Sequence, residues 1–200
     1  MEYSISTFDK LLSVCKKEEK QIYEIMQEKE AFDSEITVEE VREKTLKNIM
    51  AMKSAINNGI NSTEKSFSGL CGDDCGKLSA RFKIYPSLFG TLFEDITKYA
   101  LATMEENLRM KKIVACPTAG SCGIVPAVII SLSKKLKLKE DKEINALITA
   151  GTIGYIISAK VAMAGAVAGC QAECGVASAM SAAAAVYLLD GSNEQSVNAA

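Results

Sequence analysis

Apolar and polar residues alternate along the N-terminal third of the chain with the spacing of amphipathic helices. Over residues 8–32, apolar side chains recur about every third or fourth position, which predicts one helix. A second helix is expected after Thr37, which can form a capping box with Glu40, and its apolar stripe stops at Gly59 and the two asparagines before it. Since their opposite faces are polar, both helices are expected to cover a core without carrying a site.

Start signals predict further helices in the middle of the chain. Pro86 is expected to open one helix, and Pro126 to lie in the first turn of another. Residues 140–159 form the next predicted helix, which contains Gly151 and Gly154. Because a glycine costs about 1 kcal/mol in an exposed helix, both glycines are expected at close helix contacts.

The most unusual stretch is 161–186, with eleven alanines, three glycines and Glu173 as its only charge. Small side chains on every face let helices approach closely, so we predict a buried central helix. No alternating strand pattern of useful length occurs. The predicted fold class is all-α, with glycine-rich loops at helix N-termini. A single helical domain is expected over 1–200, with an N-terminal part over 1–112 and a glycine-loop part over 113–200.

Composition excludes several classes of protein. The 200 residues are 48% hydrophobic and 24% charged, which is typical of a globular domain. A net charge of -2 gives no reason to expect nucleic acid or an anionic membrane surface as a partner. Residues 113–133 carry no charge, but their one continuous apolar run, 124–132, is too short to cross a bilayer. Residues 1–4 show no secretory pattern, so a cytoplasmic location is expected.

Seven cysteines and no histidine limit the candidate chemistry. The lack of histidine excludes a Ser-His or Cys-His pair within the chain, so an enzyme with this sequence would use another group or take one from a partner. Cys71 and Cys75 are four residues apart, as are Cys170 and Cys174, and the two pairs could together form a four-thiolate zinc site. Cysteine is also a small core residue, so buried structural thiols explain the same spacing.

Two loops of small residues precede predicted helices. The first spans residues 66–73, with Asp73 and Asp74 at a helix start and Lys77 one turn further on. The second spans residues 116–123 and combines backbone N–H groups at a helix start with two hydroxyl side chains. Such a loop can bind a carboxylate or a phosphate, and it can equally be a tight turn between helices.

Three motifs, taken in order, carry a resemblance to a known family. They are CPTAGSCGIVPA at residues 116–127, GA at 165–166 and GCQAECG at 169–175. They resemble the alpha chain, or catalytic domain, of the iron-sulfur dependent L-serine dehydratases. A fourth motif, GLCGDD at 69–74 with Lys77, is similar to that family's first glycine loop. The likeness covers most of the chain.

The resemblance implies a mostly helical fold and an oxygen-sensitive 4Fe-4S cluster, held by three cysteines, whose open iron binds L-serine or a close analogue. Cys170 matches the first of these cysteines and is the expected metal ligand of this chain. The other two are expected beyond residue 200, so the chain is expected to be truncated relative to the family. Cys174, Cys116 and Cys122 match no ligand position.

The implied reaction is β-elimination of L-serine to pyruvate and ammonia, with the iron acting as a Lewis acid. The resemblance also implies a beta chain with a serine-rich, histidine-bearing motif, which would supply the base in a hetero-oligomer. Residues 160–166 lack the asparagine and the two serines that the family pattern has at this place. Substrate contacts are expected at Leu70, Cys71, Gly72, Asp73, Lys77, Thr118, Ala119, Gly120, Ser121 and Gly123.

Two other functions fit the same sequence. One is a cytosolic zinc- or thiol-based binding protein that uses the paired cysteines. The other is a helical partner-binding remnant without a cofactor.

Overall fold

The computed structural model describes residues 5–163 and 165–200. Within this part the chain forms ten α-helices and no strand, which confirms the all-α class. The helices are α1 (Phe8–Glu18), α2 (Ile22–Asp33), α3 (Val38–Asn61), α4 (Asp74–Ile84), α5 (Gly90–Leu108), α6 (Ile124–Leu136), α7 (Glu140–Ser158), α8 (Gly165–Ala168), α9 (Cys170–Leu188) and α10 (Asn193–Ala199). Residues 1–4, for which no secretory pattern was expected, and one position of the segment 160–166 lie outside the described residues.

The core lies where α3, α5, α6, α7 and α9 meet. Helix α9 packs against α6, α7 and α10, and α3 packs against α5. Ile129 of α6, Ile153 of α7 and Ala183 of α9 are wholly buried between them. Burying a large apolar side chain stabilises the fold by about 1.5–3 kcal/mol. These helices therefore form the packed core that supports the loops. The division into two parts at residue 112 stays a prediction.

The first predicted helix is wrong in its length. The stretch 8–32 forms two helices, because Glu19 adopts a left-handed conformation (φ 53°) that ends α1. The predicted capping box of Thr37 with Glu40 is present at the start of α3. Helix α3 then continues through Gly59, where a stop was expected, because this glycine is buried against α5.

Later boundaries are closer to prediction. Helix α5 begins at Gly90 and not at Pro86, because the residues between them form a turn in which the Glu94 carboxylate accepts the Ser87 N–H at 2.7 Å. Pro126 lies in the first turn of α6, as expected. Helix α7 starts at Glu140, as expected, and ends at Ser158, one residue before the predicted end.

In the alanine-rich segment 161–186, the buried residues that the structure describes begin at Val176. They face the core from α9, whereas residues 166–175 are exposed or half-buried. Gly154 lies against Met180 of α9, so its expected close contact is present. Gly151 faces open space, and the same expectation is wrong there.

One stretch of the described chain is long and apolar enough to cross a membrane by length and composition. It is Ala119–Leu136, and 56% of it is buried inside the structure. Val125 and Ile129 in this stretch are fully buried in the core. Because core helices pass the same test, this stretch is weak support for a membrane span.

Candidate functional site

Both glycine loops are anchored on the C-terminal end of α5. The Glu105 carboxylate accepts the backbone N–H groups of Asp74 (2.6 Å) and Cys75 (3.0 Å), at the start of α4. The Asn107 side-chain amide donates to the carbonyl of Ala119 in the second loop, at 2.9 Å. Residues two positions apart in an α-helix differ by about 3 Å along its axis and point about 200° apart around it, so the two loops are anchored on opposite faces of α5.

A buried ion cluster holds the first loop on α5. The Arg109 guanidinium pairs with Glu105 (2.9 Å) and Glu106 (3.2 Å), and all three side chains are at most 5% exposed. The same guanidinium donates from Nε to the carbonyl of Glu64 at 2.8 Å. Because Glu105 also caps α4, this cluster joins the loop, α4 and α5 into one unit.

The first loop closes on itself through Ser66. The Ser66 N–H donates to the Cys71 carbonyl (2.8 Å), and the Ser66 hydroxyl accepts the Cys71 N–H (3.1 Å). Gly72 has a φ of 122° and lies so close to the Glu64 carbonyl that a Cβ would be 2.7 Å from it. A glycine is therefore required here both by backbone conformation and by space.

The predicted contact residues of the first loop differ in accessibility. Leu70 and Cys71 are exposed, Gly72 is buried, and Asp73 is half-buried at the start of α4. Lys77 is exposed and pairs with Asp74 at 3.2 Å. The Cys71 N–H already has a protein partner, so a ligand could use it only by replacing that hydrogen bond.

The second loop is a 3-10 turn, Ala119–Ser121, that leads into α6. Thr118 and Ser121 form a capping box around it, and the buried Ser121 hydroxyl donates to the Cys116 carbonyl at 3.1 Å. Gly123 follows at a close approach to α5, where a Cβ would lie 2.6 Å from the Ala100 carbonyl. The loop is thus fixed against α5, with Ala119 and Gly120 left exposed.

Glu173 of α9 also contacts the second loop. Its carboxylate accepts a short hydrogen bond from the Thr118 hydroxyl. Its two oxygens lie 2.6 and 2.9 Å from the point where a Cβ on Gly120 would be, so the carboxylate rests on the loop backbone. In the sequence, Glu173 is the sole charge of the alanine-rich segment and a member of the GCQAECG motif, and both were available signals for a site residue.

The cysteines fall into two groups. Cys71 and Cys170 are exposed and Cys174 is half-buried, while the buried ones are Cys15, Cys75, Cys116 and Cys122. The Sγ atoms of Cys170 and Cys174 are 3.7 Å apart. Over residues 5–163 and 165–200, no three or more Cys, Asp or Glu side chains are grouped as metal ligands. The four-thiolate zinc site that the spacing allowed is therefore not formed by these residues.

We expect the two groups of thiols to differ sharply in reactivity. Burial raises the pKa of Cys116 to about 12, and the pKa of Cys122 and of Cys15 to about 11. The thiolate is the reactive form, and at pH 8 a thiol with a pKa of about 12 is ionised to a fraction on the order of 10⁻⁴. Iodoacetamide should label Cys71 and Cys170 first, as read by peptide mass mapping. Fast labelling of Cys116 in the native protein would contradict the structure.

Within the described residues the fold is all-helical, with two glycine loops anchored on α5 and an exposed thiol, Cys71, in the first of them. Residues 17–200 match the family described as serine dehydratase alpha chain, and the chain belongs to that family. It is 36% identical over 189 residues to the probable L-serine dehydratase, alpha chain, of Bacillus subtilis and 33% identical over 196 residues to the L-serine dehydratase, alpha chain, of Peptoniphilus asaccharolyticus. It is also 32% identical over 209 residues to the L-serine dehydratase of Helicobacter pylori.

These alignments cover nearly the whole chain but only part of each relative. They include 94%, 98% and 96% of this chain, in the order given. They include 63% and 67% of the two alpha chains and 43% of the Helicobacter protein. The chain therefore spans about two thirds of the length of the alpha chains that it matches.

Proposed function

We propose that this chain acts as the alpha chain of an L-serine dehydratase, which converts L-serine to pyruvate and ammonia by β-elimination. The observation that carries the proposal is the 32–36% identity to proteins named L-serine dehydratase over nearly the whole chain.

The proposed role of the two loops is to bind and orient the substrate. The exposed turn at Ala119 and Gly120 is accessible to a ligand, whereas the Thr118 hydroxyl is bonded to Glu173 and the buried Ser121 shapes the turn from inside. In the first loop, the segment from Leu70 to Asp73, with Lys77, is the proposed contact surface. Backbone N–H groups held in place before the substrate arrives cost no reorganisation in the reaction.

A beta chain is the proposed source of the base, since the sequence contains no histidine. The term alpha chain in the names of two relatives supports a second kind of subunit. We also propose a cytoplasmic location, which the seven free thiols support because disulfides are rare in the cytosol.

We further propose that Cys170 is a ligand of a 4Fe-4S cluster. Its thiol is exposed and therefore accessible to an incoming cluster. The described residues fit the cluster only in part, because beside Cys170 they offer one near thiol, Cys174, and no group of three. We therefore derive no step of the reaction through the cluster.

The adjacent cysteines provide a matched test. With its beta chain, and extended by the C-terminal segment expected to carry the other two cluster cysteines, the protein treated anaerobically with ferrous iron and sulfide should gain a brown, air-bleached chromophore and form pyruvate from L-serine. Cys170→Ala should abolish the chromophore, and Cys174→Ala should keep it. Equal loss in both variants, with zinc bound by the untreated protein, would favour a paired-thiol metal site. A colourless assembly that forms no pyruvate would overturn the proposed function.

A further inference from the structure

Glu173, in the first turn of α9, places a negative charge on the second glycine loop. Its carboxylate is hydrogen-bonded to the neutral hydroxyl of Thr118 and rests on Gly120. Among the described residues, no lysine or arginine forms a salt bridge with it. Asp95, which is also half-buried, pairs by contrast with Lys98 and Lys134.

This charge changes what the second loop can bind. We expected the loop to hold the carboxylate of the substrate, but a second carboxylate near Gly120 would meet Glu173 at close range. Two like charges 4 Å apart repel by about 1 kcal/mol in water and by about 4 kcal/mol near a protein surface. The face of the loop beside Glu173 therefore favours a cationic group over an anionic one.

We propose that Glu173 is the subsite for the α-ammonium group of L-serine. The inference rests on the proposed function and adds a residue that the sequence analysis did not place in the site. The Thr118 hydroxyl holds the Glu173 carboxylate on the loop, and an ammonium group donates to the carboxylate oxygens in a charge-assisted hydrogen bond. Gly120 is required because a side chain there would occupy the place of the carboxylate.

The first experiment compares two ligands in the assembled protein. L-Serine and 3-hydroxypropanoate share the carboxylate and the hydroxyl, and differ in the amino group. With 3-hydroxypropanoate as a competitive inhibitor, the wild-type KM for L-serine should be at least tenfold below the inhibition constant of 3-hydroxypropanoate. Glu173→Gln removes the charge and keeps the shape of the side chain, so L-serine affinity should fall about tenfold or more while 3-hydroxypropanoate affinity stays equal or rises. Glu43→Gln, an exposed position on α3, is the matched control.

A second variant moves the carboxylate without changing any charge. In Gly120→Ala the new Cβ would lie 2.6–3.0 Å from the end of the Glu173 side chain, which can rotate away at little cost in stability. L-Serine affinity should again fall while 3-hydroxypropanoate affinity is retained. Gly175→Ala, where a Cβ meets nothing within 4 Å, is the control and should bind both ligands as the wild type does.

The outcomes separate this inference from the function on which it rests. If the wild type binds L-serine and Glu173→Gln binds it equally well, the ammonium subsite is wrong and the proposed function stands. If Glu173→Gln weakens both ligands to the same degree, Glu173 only shapes the loop, and the subsite is again wrong. If the wild-type assembly binds neither ligand, the proposed function fails and the inference fails with it.

Discussion

Replacing Arg109 with methionine should lower the free energy of unfolding by about 3–5 kcal/mol. The guanidinium is 2% exposed, and it pairs with the equally buried carboxylates of Glu105 and Glu106. Methionine fills a similar volume but leaves two buried carboxylates without a counter-charge, which costs more than the lost attraction alone. Urea denaturation followed by circular dichroism measures the change.

The control for this prediction is another arginine on the surface. Arg81 is exposed and stacks on the Tyr85 ring at 3.9 Å, so Arg81→Met should cost at most about 1 kcal/mol. Adding Glu106→Gln to the Arg109 variant should recover part of the loss, because it removes one orphaned charge. Equal stability of the Arg109 and Arg81 variants would contradict the buried cluster.

Local signals in the sequence predicted much of the helical fold. The pairing of Thr37 with Glu40 is complete within four residues, so the start of α3 could be read directly. The break at Glu19 could not, because a left-handed glutamate carries no marker comparable to a glycine. Helix α3 passes through Gly59 because of a tertiary contact with α5, and no pattern within α3 contains that contact.

The sequence predicted the two loops of the candidate site but not the residues that hold these loops in place. Glycines and hydroxyls marked the segments at Gly72 and Gly120, since few other residues serve in such turns. In the sequence, Glu105 and Asn107 look like ordinary polar residues of an amphipathic helix, so nothing marks them as anchors of the loops. Glu173 lies 55 residues from Thr118, so only the packing of α9 on the second loop reveals their contact.

Gly59→Ala should lower the free energy of unfolding by about 2–3 kcal/mol, because α3 and α5 touch at this point. A Cβ on Gly59 would lie 2.2 Å from the carbonyl oxygen of Ala102 and 2.8 Å from its Cα. These are backbone atoms of a packed helix, so the strain can be relieved only by separating the two helices.

The matched control has the opposite expected sign. Gly151 lies on an exposed face of α7, and a Cβ added there would meet nothing within 4 Å, so Gly151→Ala should stabilise the protein by about 0.5–1 kcal/mol. Urea midpoints of the two variants should therefore move in opposite directions. A Gly59 variant as stable as the wild type would show that α5 can shift away from α3. Since Glu105 and Asn107 hold both glycine loops on α5, the same shift would displace the candidate site.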